Sequence, residues 1–231
     1  MFLYQPTSGY CYNSDSIFLY GFISSFNPKG SLLDVGCGVG IVSLLLSRDF
    51  DIKTTIIDKQ EKMIEYAKHN YCINSLDAKG YLGDFIEFKT KEKFDYIVSN
   101  PPFYDSSVTQ SENIHLNISR YAHHLPIAEF IPKIKQLLKP RGWFIFCYDA
   151  KKTDQLLHYL KINGINPEKV QFVHSKLDRD SKLVMIAARN NSKSMVQVLP
   201  PFIVFDDKSA YREEARKLFQ RAATNSIKGD F

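Results

Sequence analysis

The run Ser31-Leu32-Leu33-Asp34-Val35-Gly36-Cys37-Gly38-Val39-Gly40-Ile41 decides how the rest of the chain is read. A short apolar stretch ends in an acid, passes three glycines at alternate positions and enters a second apolar run over residues 39–47. That order reads as a strand, a tight turn and a buried helix. Glycine at the turn lets the backbone fold sharply and approach a ligand without a Cβ in the way. A parallel sheet binds ligands at the carboxyl ends of its strands, and this turn falls at such an end. A dinucleotide fingerprint would need its third glycine at position 41, which is Ile41. The spacing is G-x-G-x-G, preceded by Asp34.

Outward from this turn, strand and helix signals alternate. Strands are expected at 53–58, 80–82, 94–99, 143–148, 169–174 and 182–188. Helices are expected at 59–70, at 127–138 with Pro140 as the stop, and at 153–162. Repeated strand and helix units with short connections predict an α/β fold with a mainly parallel sheet and helices on both faces. Ser14 or Asp15 is the expected cap of a helix running to residue 25. A terminal helix after residue 205 would carry Tyr211, Ala215, Leu218, Phe219 and Ala222 on one side. The polar stretch 103–117 is the one long irregular segment, of a kind usually functional or mobile.

The chain has 231 residues, 44% apolar, 24% charged and 13% aromatic, the composition of an ordinary globular protein with a single core. We expect one domain over 1–231, divided into an N-terminal lid at 1–30, a core at 31–205 and the C-terminal helix at 206–231. The longest uncharged apolar stretch, residues 16–28, is too short and polar to span a bilayer. Residues 1–15 carry no Lys or Arg ahead of an apolar run, so a cytosolic, membrane-free protein is expected. Cys11, Cys37, Cys72 and Cys147 form no C-x-x-C pair, predicting mostly buried free thiols and no metal. Net charge is +5, but residues 151–193 hold 9 basic and 4 acidic side chains while residues 1–150 are nearly balanced. Such a concentration favours a polyanionic partner.

Asp58 ends the second strand of the series 22 residues after Gly36, the distance at which an acid can accept from ribose hydroxyls. Gly83-Asp84 follows the next strand, and Asn100-Pro101-Pro102-Phe103 follows the one after it. No G-x-S-x-G, H-E-x-x-H or G-x-x-x-x-G-K-[ST] is present. The glycine turn with its preceding acid resembles class I S-adenosylmethionine-dependent methyltransferases, and N-P-P-[FY] resembles those that methylate planar conjugated nitrogens. The resemblance implies a Rossmann-like, mostly parallel sheet with an antiparallel late strand, and S-adenosyl-L-methionine as cofactor. It implies that Asp34, Gly36, Cys37, Gly38 and Gly40 hold the cofactor's amino acid end, with Asp58 and Lys59 at its ribose and Asp84 and Phe85 at its adenine. Asn100 would also touch the cofactor.

A conjugated exocyclic amine is a poor nucleophile because its lone pair is delocalised. It must be held with its N–H groups on acceptors while the lone pair faces the methyl. The side-chain oxygen of Asn100 and the main-chain carbonyl of Pro101 can be those acceptors, Pro101 and Pro102 fix the backbone, and Phe103 offers a face to stack a base.

The whole chain is similar to bacterial tRNA adenine-N6 methyltransferases that modify position 37 of valine tRNA. That resemblance rests on Gln5, Gly9 and Asp15-Ser16 in the lead, Arg120 after the motif, and Leu199-Pro200-Pro201-Phe202 with Tyr211 near the end. It implies a tRNA partner, with Tyr104 and Arg120 near the substrate; the charge count makes Lys151, Lys152 and Arg179 available to phosphates, and a monomer is expected. Methylation of guanine N2 in rRNA, of adenine N6 in DNA or of a glutamine amide stays open, as does a non-catalytic RNA-binding module.

Overall fold

The computed structural model describes residues 1–7, 11–101, 127–229 and 231. Eleven strands among them are β1 (Phe2–Gln5), β2 (Gly30–Val35), β3 (Ile52–Asp58), β4 (Ala78–Leu82), β5 (Phe94–Ser99), β6 (Leu138–Asp149), β7 (Ile165–His174), β8 (Leu183–Asn190), β9 (Gln197–Val198), β10 (Phe202–Ile203) and β11 (Asn225–Lys228). The helices are α1 (Ser14–Ser24), α2 (Ile41–Asp49), α3 (Glu61–Ile73), α4 (Ile127–Leu137), α5 (Thr153–Ile162) and α6 (Glu213–Ala222). The main sheet runs β10-β7-β8-β6-β5-β2-β3-β4, with β9 also on β7. Strands β4, β3, β2, β5 and β6 pair in parallel, and β8 is antiparallel to both β6 and β7, as the late strand was expected to be.

Alternation explains how one sheet feeds two cores. Leu32, Ile56, Val98, Ile145 and Cys147 face the side covered by α1, α2, α3 and α6. Their neighbours Leu33, Ile57, Ile97 and Phe146 face the side covered by α4 and α5. Successive side chains on a strand point to opposite faces, so a strand covered on both sides must be apolar at nearly every position. Fully burying each Leu or Ile contributes about 1.5–3 kcal/mol.

The strand order reverses between β2 and β5, which makes their shared carboxyl end the topological switch point. The register sets Val35 beside Ser99, so the glycine turn and Asn100 leave the sheet side by side.

Several expectations are corrected. Asn13, not Ser14 or Asp15, caps α1, its side chain accepting from the Asp15 amide. Helix α4 ends at Leu137, ahead of Pro140 as expected, but β6 begins at Leu138 and not near 143, with Pro140 in its irregular start before the regular pairing begins at Trp143. Strand β7 starts at Ile165, and a register shift near Pro167 absorbs the missing N–H donor. The C-terminal segment is more than a helix, because β11 follows α6 and pairs in parallel with β1. On the other side of β1, α3 supplies what a strand would. Asn70 accepts from the Tyr4 amide at 2.7 Å and donates to its carbonyl at 3.0 Å, and Asn74 does the same for Phe2. The N-terminal lead is therefore fixed on both edges. Gly9, Pro102, Phe103, Tyr104, Arg120 and all of the polar 103–117 segment lie outside the described residues.

Candidate functional site

A pocket at the switch point is lined by Tyr12, Ser16, Asp34, Gly36, Cys37, Gly38, Val39, Ile41, Val42 and Asn100. Its floor is the glycine turn. Gly36 and Cys37 donate to the Ile57 carbonyl at 2.9 and 3.2 Å, and Gly40 donates to that of Cys37. Gly36, Gly38 and Gly40 have φ of +66°, +55° and +83°, a region that side chains with a Cβ avoid. A Cβ on Gly36 or Gly38 would meet nothing within 4 Å, so open space lies above both. Gly40 differs: its Cβ would lie 3.3 Å from that of Ala67, so this glycine serves the close packing of α2 on α3 and does not line the pocket. Position 40 also opens α2 without a side-chain cap, leaving the helix's first N–H groups toward the pocket end.

Asp34 is 3% exposed, and its Oδ2 has no hydrogen-bond partner. Burial is the main cause of its carboxyl being pushed up to about 6, with the nearby Asp58 adding to it. An unpaired buried carboxylate oxygen beside open space fits a cationic ligand group, because leaving such an atom unsatisfied costs free energy. Burial pushes the Cys37 thiol far above its ordinary range, so it is an inert wall of the pocket.

Asp58 is not free. Its Oδ2 accepts from the Gly38 amide and its Oδ1 from the Gln60 amide, both at 2.9 Å, so it clamps the turn from the next strand. Burial raises its pKa, and those two amides oppose the shift. Each oxygen keeps a second lone pair for a ligand hydroxyl. Lys59 beside it is half-buried, and desolvation lowers its pKa against the pull of Asp84 and Asp58. Asp84 caps the turn after β4 by accepting from the Ile86 amide at 2.8 Å. The Phe85 ring is a departure from the expectation: it is 5% exposed and packs edge-on against Phe130 at 5.3 Å, in the core under α4. Asp58, Lys59, Asp84 and Phe85 lie beyond the pocket's lining, at successive strand ends along the same edge.

Asn100 is half-buried at the end of β5. Its Nδ2 donates to Ser16 Oγ at 3.1 Å, and its Oδ1 accepts from the Cys147 thiol at 3.0 Å. Sequence reasoning had Ser16 only as part of the lead and Cys147 only as a buried thiol. The signal for Cys147 was present in the strand count, since Ser99 pairs with Phe146 and the next residues come opposite each other. Tyr12 was missed. Its amide donates to Gln5 and its hydroxyl bonds Thr224, so both ends of the chain reach the pocket wall. Lys151 and Lys152 lie in the turn after β6, and Arg179 lies exposed in the loop after β7, 3.9 Å from Asp178. Among the described residues, no group of His, Cys, Asp and Glu is placed to hold a metal, and no helix is long and apolar enough to cross a membrane.

This topology, with a glycine turn and a buried acid at the switch point, is the Rossmann-like fold that class I methyltransferases share. Comparison with known proteins agrees that the chain is a methyltransferase. Residues 16–128 match the methyltransferase small domain. The tRNA1(Val) (adenine(37)-N6)-methyltransferase of Actinobacillus pleuropneumoniae serotype 7 is 24% identical over 89% of this chain and 87% of its own. Ribosomal RNA small subunit methyltransferase C of serotype 3 is 39% identical, over 36% of this chain and 26% of its own. In fold, the chain is similar to a predicted O-methyltransferase from Agrobacterium tumefaciens, with TM-score 0.70 at 13% identity over 92% of this chain and 99% of that one. It is also similar to the ribosomal protein L11 methylase of Lactobacillus delbrueckii subsp. bulgaricus, with TM-score 0.58 at 18% identity over 80% and 83%.

Proposed function

We propose that this methyltransferase acts on the exocyclic N6 of an adenine in tRNA, with position 37 of a valine tRNA as the first target to test. The observation that carries the reading is Asn100, a carboxamide at the switch point beside the glycine turn, followed by Pro101. The near full-length similarity to tRNA adenine-N6 methyltransferases supports the substrate class.

S-adenosylmethionine supplies an electrophilic methyl on a sulfonium, which leaves as a neutral thioether. The chain's own residues do the rest. Asp34 Oδ2 would accept from the ammonium of the cofactor's amino acid end, giving that oxygen the partner it lacks. Gly36 and Gly38 leave room for close approach, and Asp58 accepts from the ribose while holding the turn. Asp84, farther along the same edge, would accept from the adenine amino group. Asn100 Oδ1 and the Pro101 carbonyl accept the two N–H groups of the target amine, turning its lone pair to the methyl. The nitrogen gains the methyl and gives one proton to water, so no side chain need act as a base.

Removal of the Asp58 carboxylate tests the cofactor half. Asp58→Ala is expected to weaken S-adenosylmethionine binding about 10- to 150-fold, the worth of a hydrogen bond to a charged acceptor. The loosened Gly38 amide places the result toward the upper part of that range. Unchanged affinity by calorimetry would remove Asp58 from the site.

Lys151 and Lys152 at the end of β6, Lys176 and Arg179 after β7, and Lys182 before β8 share the sheet edge that Asn100 occupies. If they line the RNA path, neutralising about four phosphates of partly single-stranded RNA gives a log-log salt slope near −3, or about 60-fold weaker binding from 50 to 200 mM salt. Charge reversal at Lys151 and Lys152 together should flatten the slope by about one to two units and spare cofactor affinity. An unchanged slope would mean that these lysines are a solvated face and that RNA docks elsewhere.

The deciding experiment incubates total tRNA from cells deleted for the gene with radiolabelled S-adenosylmethionine and digests the product to nucleosides. Label in N6-methyladenosine is the expected result. Label in N2-methylguanosine, or none in tRNA and some in rRNA, overturns the assignment.

A further inference from the structure

The Asn100 carboxamide is gripped from both sides by groups that no part of the proposed transfer yet uses. Cys147, fully buried on β6, donates its thiol hydrogen to Oδ1 at 3.0 Å. Ser16, 4% exposed on α1, accepts from Nδ2 at 3.1 Å. A carboxamide turned by 180° fills almost the same volume, so only its hydrogen-bond partners decide which end carries the oxygen. The end matters. An amine to be methylated brings N–H donors, and a reversed Asn100 would meet them with its own NH₂, donor against donor.

We propose that Cys147 is a positioning residue for methyl transfer, its thiol hydrogen holding the Asn100 amide with the oxygen in the accepting orientation while Ser16 takes the nitrogen. The inference rests on the reading of Asn100 as the acceptor for the amine. Burial in the apolar layer under α1 pushes the thiol's pKa well above its ordinary value, with Asp15 adding to the effect. Cys147 therefore stays protonated and remains a donor at working pH. Oδ1 keeps a second lone pair for the substrate N–H. The three side chains come from α1, β5 and β6, so the lead that covers the pocket and the strand beneath it both set the acceptor's orientation. A thiol hydrogen bond is weak, which makes a moderate effect on rate the expectation.

The test is a double-mutant cycle read by initial rates on the same deletion-strain tRNA with labelled cofactor, with cofactor affinity measured in parallel. Cys147→Ala should lower kcat about tenfold at unchanged cofactor Kd, and Cys147→Ser, which restores a donor, should return to within about threefold of the parent chain. In the Asn100→Ala background, Cys147→Ala should cost nothing further, because the thiol acts through the amide. Cys147→Val fills the volume without a donor and carries the same expectation if Cys147→Ala does not fold. Parent-like kcat in both Cys147→Ala and Cys147→Val overturns the proposal. So does a tenfold loss that persists in the Asn100→Ala background, or one that Cys147→Ser shares. Full activity of Asn100→Ala by itself overturns the reading of Asn100 and this inference with it, so the two failures are distinguishable.

Discussion

Asp34→Asn is expected to weaken S-adenosylmethionine binding about 100-fold while making the folded chain more stable at neutral pH. Both effects come from one carboxylate that is 3% exposed, has an oxygen without a partner and has a pKa raised by burial to about 6. Its ordinary value is 3.8, so between pH 4 and 6 the folded chain keeps a proton that the unfolded chain has released. Stability then falls as pH rises through that window and stays reduced above it. A shift of this size corresponds to about 3 kcal/mol. Asparagine keeps the shape without the charge. Allowing for an amide that fills only part of the site's hydrogen bonding, a gain of about 1–2 kcal/mol remains, or several degrees in Tm for a chain of this length. The ligand side has the opposite sign. A cationic ammonium needs the ionised carboxylate, so cofactor Kd should weaken toward tenfold per unit below about pH 6. Calorimetry from pH 5 to 8 and thermal melts of both chains test this together. An Asp34→Asn chain that binds as well as the parent, or melts lower at pH 7, would show that Asp34 is not a strained ligand for the cofactor.

The centre of the fold was legible because its determinants are local. Residues 31–41 state a buried strand, a turn only glycine makes easily and an apolar helix, and the acids at 34 and 58 with Asn100 each follow an apolar run. What could not be read depends on pairing across distance. Strands β1 and β11 are four residues each and meet from opposite ends of the chain, Phe2 against Asn225, too short for an alternation to stand out. Asn70 and Asn74, which complete β1, look in sequence like two polar positions on a helix. Gly40 and Phe85 are the converse case. Each stands next to proposed cofactor positions in sequence, yet the turn of the backbone sets Gly40 against Ala67 and the Phe85 ring against Phe130. Proximity along the chain is a poor guide at a strand end, where successive residues diverge toward pocket and core. The prolines at 140 and 167 have a related cause: proline is tolerated where a strand begins irregularly or shifts register, so β6 and β7 start ahead of the expected residues 143 and 169.

Asn100→Ala should lower kcat by two or more orders of magnitude and leave cofactor affinity within about threefold. The asymmetry follows from what the side chain can hold. The proposed cofactor contacts are spread over Asp34, the glycine turn and Asp58, so loss of Asn100 from the pocket lining should cost little there. The amine has fewer recourses. Without the Asn100 oxygen one of its N–H groups loses its fixed acceptor, the nitrogen stays conjugated, and its lone pair is not held toward the methyl. That loss is felt mainly in the transition state, where the nitrogen pyramidalises and its N–H bonds become more polar, so it falls on kcat more than on binding. A hundredfold loss corresponds to about 2.7 kcal/mol, within the range of a hydrogen bond to developing charge. Ser16 and Cys147 would be left facing the space the amide vacated, and neither reaches its position on the backbone. Single-turnover rates with saturating S-adenosylmethionine and adenine-containing tRNA, set beside calorimetric Kd, separate the two quantities. A variant that turns over normally would place the acceptor elsewhere, and one that fails because cofactor no longer binds would make Asn100 a cofactor contact rather than the group that presents the amine.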